Sequence, residues 1–253
     1  MNYKALIFTL SIFIISFKLQ AQRINDYNNI GWITTTGTFQ LSPNWSLHSE
    51  YQFRRDNFIT NWQQSLLRTG INYKINQNAL VRAGYVWIET FNYGDFPINS
   101  FGKQFTEHRT YQTIILTQQT GRFELSHRYK LEQRWLAVYN TAALKEPSNW
   151  VFLNRLRFMA RVQTALKGKL IADKTPYAAL YDEIFIGFGK NVNQNIFDQN
   201  RLGILLGYKF NKHFRVEGGY FNQILQLPRR VNNLNVIQYN TGFIVNSFWN
   251  IGY

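Results

Sequence analysis

Cysteine is absent from the 253-residue chain, so no disulfide holds the fold and an anchor built on a lipidated cysteine is excluded. Acidic residues are scarce: 14 Asp and Glu stand against 28 Lys and Arg, a formal net charge of +14. Long apolar runs are missing as well, with one exception. In MNYKALIFTLSIFIISFKLQAQ, Lys4 precedes an apolar run from Ala5 to Phe17, which Lys18 and the small Ala21 follow. That run is shorter than the roughly 20 residues a spanning helix needs, and its order is that of a secretory signal peptide. Cleavage is expected after Ala21, with Leu19 larger than the residue usual at its place. Residues 1–21 then form the signal and 22–253 a single exported domain, in which nothing reads as a linker. No phosphate loop, metal-ligand cluster or G-x-S-x-G is present, so no cofactor and no metal are expected.

A basic chain invites a nucleic-acid partner. An exported one rarely meets nucleic acid, and here the Arg residues alternate with apolar residues instead of clustering, so no nucleic-acid partner is expected. Basic groups that line a cavity or face anionic headgroups fit better. Aromatics make up 17% of the residues, with 21 Phe and 15 Tyr, while the mean hydropathy is only -0.31. An exported, aromatic-rich chain without a spanning helix points to the outer membrane of a Gram-negative cell, crossed by strands.

The stretch ELSHRYKLEQRW, residues 124–135, has the matching pattern. Glu124, Ser126, Arg128, Lys130, Glu132 and Arg134 share one parity, and Leu125, His127, Tyr129, Leu131 and Trp135 the other. Successive strand side chains point to opposite faces, so one face is charged and the other apolar. In a membrane barrel the charged face turns to the lumen. Similar segments recur at Ile30–Phe39, Trp45–Arg55, Trp62–Tyr73, Ala79–Thr90, Phe105–Gln118, Arg122–Trp135, Trp150–Gln163, Tyr177–Gly189, Phe197–Phe210, Phe214–Gln226 and Asn235–Phe248. Short turns at Leu41–Asn44, Lys74–Asn78, Gln119–Gly121 and Asn211–His213 alternate with longer connections, among them FNYGDFPINSFGKQ and the stretch around LPRRVNN. Short turns belong on the periplasmic side. The expected fold is an all-β antiparallel transmembrane barrel. Bacterial barrels normally have an even number of strands, so about 12 are expected: residues 22–30 add a strand or thread the lumen, or one of the segments merges two strands. A secreted sandwich has shorter segments, and a lipocalin-type barrel fewer strands.

On the inward parity cations outnumber carboxylates. Arg54, Arg68, Arg82, Arg128, Lys130, Arg134, Arg155, Arg157, Arg161, Arg201, Lys209 and Arg215 face Glu50, Glu124, Glu132, Glu183 and Glu217. The phase of Phe105–Gln118 is open: Glu107, Arg109, Tyr111 and Ile115 share one face, His108 and Gln112 the other. An unpaired charge in a narrow lumen is costly, so an Arg–Glu network is expected across neighbouring strands, with a structural or binding role. A narrow pore or cavity preferring a small anionic solute is the functional counterpart. Its candidate residues are Glu50, Arg54, Arg68, Glu107, Arg109, Arg128, Glu132, Arg134, Arg155, Arg157, Glu183, Arg201 and Glu217. The alternative is a barrel enzyme acting on lipid, a phospholipase or deacylase, with lipopolysaccharide or phospholipid as partner. Ser126 and His127 cannot form its catalytic couple, because adjacent strand residues diverge. His127 shares the apolar parity and fits a headgroup-level position beside aromatics. His48 and Glu50 lie two apart on the inner face but lack a nucleophile, so no catalytic residue is assigned.

The chain resembles the domain of unknown function 2490 group, uncharacterised bacterial proteins common in Bacteroidetes. The resemblance covers nearly all of 22–253. It rests on HSEYQFR with Glu50, Gln52 and Arg54, LLRTGINY with Arg68, Gly70 and Tyr73, Ala83-Gly84-Tyr85, Glu107-His108-Arg109 and HRYKLEQR. It continues with Asn154-Arg155-Leu156-Arg157, Tyr181-Asp182-Glu183, Phe197-Asp198-Gln199-Asn200-Arg201 and Glu217-Gly218-Gly219-Tyr220 with Gln223. Lys130 departs from the pattern, which often carries Arg there. The resemblance implies an exported, β-rich outer-membrane protein and supplies no activity.

Overall fold

The computed structural model describes residues 22–252; the expected signal peptide, residues 1–21, lies outside them. Eleven strands follow one another: β1 (Arg23–Gln40), β2 (Trp45–Asp56), β3 (Asn61–Lys74), β4 (Ala79–Thr90), β5 (Phe105–Thr120), β6 (Phe123–Val138), β7 (Asn149–Ala165), β8 (Thr175–Phe188), β9 (Phe197–Lys209), β10 (Phe214–Val231) and β11 (Leu234–Ile251). Each pairs with its neighbours in sequence, and β1 pairs with β11 to close the sheet into a barrel. Closure removes both sheet edges, so the backbone groups of every strand find partners.

The expected count of about 12 is corrected to eleven. Residues 23–30 neither add a strand nor thread the lumen; they extend β1, which pairs with β11 from Arg23 to Phe39. In an up-and-down barrel with an odd number of strands the first and last strands run the same way. The β1–β11 pair is accordingly parallel, while every other pair is antiparallel.

The turns at 41–44, 75–78, 121–122 and 210–213 gather at one end together with the longer 166–174, and the connections 57–60, 91–104, 139–148 and 189–196 at the other. One expected long loop is absent from that second end. Around LPRRVNN the chain stays in β10 and turns in two residues, Asn232 and Asn233, with φ of 50° and 62°. Two consecutive left-handed residues make the hairpin turn whose twist suits the flanking strands, and Asn tolerates that conformation. Residues 91–104 fold back over this end. Arg229 donates to the Pro97 carbonyl at 2.7 Å, Gln238 to the Phe96 carbonyl at 3.0 Å, and the Tyr93 hydroxyl to Gln238 Oε1 at 3.0 Å. Burial pushes the Tyr93 phenol up to about 12, which keeps it a neutral donor.

The barrel is inverted relative to a soluble one. Its outer wall exposes Ile33, Leu67, Ile114, Leu156, Leu180, Ile204 and Leu206 along the middle of the strands. Aromatic side chains border this band. At the short-turn end Trp45 packs on Tyr73 at 4.7 Å and Phe214 on Trp249 at 4.1 Å; at the loop end Phe53 packs on Trp62 at 4.6 Å and Trp135 on Phe152 at 5.2 Å. Inside, tyrosines lie over glycines on the next strand. Tyr111 faces Gly84, where a Cβ would stand 2.8 Å from its hydroxyl, and Tyr181 faces Gly203, where a Cβ would collide with its ring. The aromatic ring covers backbone that glycine leaves bare.

Parallel closure can be tested with a disulfide, because the chain has no cysteine of its own. Thr35 and Ser247 are register partners whose hydroxyls are 2.5 Å apart, well suited to a disulfide pair. Oxidised Thr35→Cys/Ser247→Cys protein is expected to migrate faster than its reduced form on a denaturing gel. Absence of that cross-link would refute the β1–β11 register.

Candidate functional site

Strand alternation carries the charged side chains inward, where they form a layer across the middle of the lumen. Its centre is Glu132 on β6, 0% exposed. Arg155 donates to Glu132 Oε2 through Nη2 at 2.5 Å and Nε at 2.9 Å, and Arg157 donates to Oε1 at 2.7 Å. The same Arg157 reaches Glu183 with Nε and Nη2, both at 3.0 Å, and Arg128 adds a third bond there at 2.9 Å. Glu107 accepts two forks, one from Arg109 at 2.5 and 2.8 Å and one from Arg134 at 2.6 and 3.2 Å. Planar guanidinium–carboxylate pairs of this kind are the strongest hydrogen bonds available to side chains. Nearer the short-turn end Arg68 pairs with Glu50 at 2.5 Å, and Arg161 with Glu217 at 2.5 and 3.0 Å.

Every candidate residue thus points into the lumen, and the open phase of β5 resolves with Glu107, Arg109 and Tyr111 inside. His108 lies outside, where Tyr85 meets its Nδ1 at 2.5 Å. Two of the candidates have no carboxylate partner among the described residues. Arg54 bonds to Gln52 and Gln64 and stacks 3.9 Å from the Trp32 ring; Arg201 donates to Gln199 at 2.9 Å and stands 4.8 Å from the same ring. Cation–π contact with a buried indole partly replaces the missing counter-charge.

Two functional positions escape a strict two-residue alternation. Asp198 accepts from Arg155 at 2.5 Å, and Gln63 accepts from Trp32 Nε1 at 2.6 Å. Each is the extra residue of a bulge: Gln199 pairs with Phe185 and Phe197 with Ile186, while Gln64 pairs with Arg54 and Trp62 with Arg55. A bulge sends two successive side chains the same way, so Asp198 joins Gln199 inside and Gln63 joins Gln64. FDQN, with three polar residues in a row at a strand start, is the trace of this in the sequence.

The charged layer divides the lumen. Toward the loop end a cavity of about 80 Å3 remains beneath residues 91–104. Toward the short-turn end lies a vestibule of about 570 Å3 reaching to Lys212 and Trp249 at the mouth. One side of it is ionic, with Arg82, Arg128 and Arg161; the other is apolar, with Trp32, Phe221 and Ile244. Ser126 lines the vestibule, whereas His127 is on the outer wall stacked 6.1 Å from Phe158. His48, 2% exposed, stands 3.5 Å from Glu50, whose other oxygen Arg68 holds, and no serine or cysteine nucleophile bonds to it.

A closed, odd-stranded β-barrel with an ion-paired septum and one basic vestibule is the class of protein that these features define. The model of the family described as a protein of unknown function, DUF2490, matches residues 29–235, nearly all of the barrel from β1 to the start of β11, and the chain belongs to that family. None of the curated proteins compared with it matches.

Removing the carboxylate at the centre of the layer leaves buried guanidinium groups uncompensated. Glu132→Gln is expected to lower stability by about 3–5 kcal/mol, read as a lower denaturant midpoint of the folded barrel in detergent. Glu124, whose side chain accepts only from Gln163 at 2.7 Å, is the contrast: Glu124→Gln should change stability by less than about 1 kcal/mol.

Proposed function

We propose that this protein is an outer-membrane β-barrel of a Gram-negative cell, exported by a cleaved signal at residues 1–21, that binds a small anionic solute in its vestibule and conducts no ions. The inverted polarity of the wall supports the membrane assignment. An exposed apolar band far larger than soluble monomers tolerate meets the acyl chains of phospholipid and lipopolysaccharide, and the aromatic borders sit at headgroup level. By the short-turn rule the vestibule opens to the periplasm.

The observation that favours binding over permeation is the septum. Arg155, Glu132 and Arg157 are buried in mutual contact on β6 and β7, and Arg54 and Arg201 reach the Trp32 ring from β2 and β9, so an ion crossing the lumen would have to break several charge-assisted bonds and displace buried guanidinium groups. Residues 91–104 cover the loop end in addition. What stays accessible is a basic chamber of drug-like size, open on one side.

The purified protein is expected to require detergent for solubility and, after insertion into planar bilayers, to give no stepwise current. Glu132→Gln combined with deletion of residues 92–103 should then admit ions. Solubility without detergent would end the membrane assignment, and steady conductance by the unaltered protein would end the sealed-lumen reading.

A further inference from the structure

Arginines hold most carboxylates of the lumen, while Glu124 bonds only to Gln163. Among the inward cations of the described residues that have no carboxylate partner, Arg54, Arg201 and Arg215 stand on β2, β9 and β10, whereas Arg82 and Lys130 stand together on the wall from β4 to β6. Arg82 on β4, Thr113 on β5 and Lys130 on β6 are successive register partners, so their side chains enter the lumen side by side. Arg82 bonds to Asn72 at 2.5 Å, and no carboxylate lies within ion-pair distance of it among the described residues. Lys130, 3% exposed, has likewise no carboxylate partner there and stands 5.0 Å from the Tyr111 ring. Around them, buried polar atoms lack hydrogen-bond partners: both ring nitrogens of His48, Nε of Arg68, Oγ1 of Thr113 and Nε of Arg128. Buried donors are nearly always paired, and orphans grouped in one place mark a position where acceptors belong.

We infer that this wall is an oxyanion site, and that it takes the phosphomonoester of a solute with an apolar or aromatic body. The proposal rests on the anion-binding reading given above and specifies its ligand. Arg82, Arg128 and His48 line the vestibule and are the groups that would touch the anion, while Thr113 and Lys130, the register neighbours of Arg82, are buried on the same wall. Two uncompensated cations suit a charge near minus two, and donors arriving from β2, β4 and β6 suit three acceptor oxygens better than the single plane of a carboxylate. Glu50 is held by Arg68 and Glu183 by Arg157 with Arg128, which leaves Arg82 without a carboxylate competitor; Arg128 would share its guanidinium between Glu183 and the anion, and His48 stands 3.5 Å from Glu50. Opposite the cationic wall, Trp32, Phe221 and Ile244 offer an apolar surface to the remainder of the ligand. A phosphorylated periplasmic solute and the headgroup of a phosphomonoester lipid share this chemistry.

Calorimetric titration of the full barrel in uncharged detergent separates the cases, with inorganic phosphate, phenyl phosphate, benzoate and a short-chain phosphatidic acid as probes. Phenyl phosphate should bind with one-to-one stoichiometry, tighter than inorganic phosphate and benzoate. Arg82→Gln should weaken it by at least about tenfold, Arg82→Lys by less, and the outer-wall control Arg55→Gln should leave it unchanged. Binding of phosphatidic acid but not of phenyl phosphate would support the site and assign the ligand to lipid. Equal binding by the unaltered protein and both Arg82 variants would overturn this site and leave the anion-binding reading intact. Benzoate binding without phosphate binding would overturn the phosphomonoester assignment alone. No binding of any probe would overturn both.

Discussion

The interior of this barrel depends on one carboxylate. Glu132 is enclosed on all sides, and Arg155 and Arg157 reach it from β7 while Arg109 approaches to 3.9 Å from β5. Burying a single carboxylate or guanidinium would be prohibitive, and burying a pair barely breaks even. A chain of pairs does better because each member serves two partners. Arg157 links Glu132 to Glu183, and Arg155 links Glu132 to Asp198. The contacts reinforce the wall from β5 to β9, and the Arg155–Asp198 pair joins β7 to β9 over β8, two strands that do not pair directly. Sealing the lumen is a by-product of this packing: a layer of forked bonds has no room for water files.

The same layer explains where the vestibule lies and why it is basic. Carboxylates are in the minority, and those near mid-lumen, Glu107, Glu132, Glu183 and Asp198, are each held by arginines. Cations outside their reach are left with neutral partners. At the upper edge these are Arg54 and Arg201, shielded by the Trp32 ring between them. At the lower edge they are Arg82 and Arg215, which line the vestibule, and Lys130, buried on the same wall as Arg82. Part of the excess positive charge thus lies at the face of the septum that has space for a ligand.

Much of this was legible from the residues, for a simple reason. When one face of a strand is ionic and the other apolar, a slip of one residue would reverse every side chain, so parity is a strong constraint. Ala79–Thr90 begins and ends where its alternation does, and Glu50, Arg68, Arg128, Arg155, Arg157, Glu183 and Glu217 all point as their parity requires. Parity failed where pairing is irregular or the pattern ambiguous. Asp198 and Gln63 turn inward only because each is the extra residue of a bulge. In β5 polar residues occupy both faces, His108 and Gln112 outside and Glu107 and Arg109 inside, so only the neighbouring strands decide the phase. Outside, Gln112 and Gln133 satisfy each other at 3.1 and 3.3 Å.

Strand number was the remaining difficulty, and it turns on the sequence of β1. Its first residues, RINDYNN, lack the apolar alternation of a wall segment, which hides them from periodicity. They lie beyond the reach of β2, whose pairing starts at Ile30, and take β11 as their strand partner, with the Asn29 carbonyl also accepting from Phe58 N–H at 3.0 Å. There the wall is no longer two-faced: Asp26 accepts from Gln238 at 2.9 Å inside, and Tyr27 stacks on Tyr239 at 5.2 Å outside. A segment that projects past the barrel rim needs no apolar outer face, so its sequence carries polar and aromatic residues instead. Once these residues are read as part of β1, the odd strand number requires a parallel closing pair. The polar pairs along that seam, Asn28 with Asn240 and Thr35 with Ser247, place side-chain hydrogen bonds on both faces of it. Parallel pairing is slightly weaker per residue than antiparallel, and an 18-residue β1 matched along almost its full length offsets that deficit.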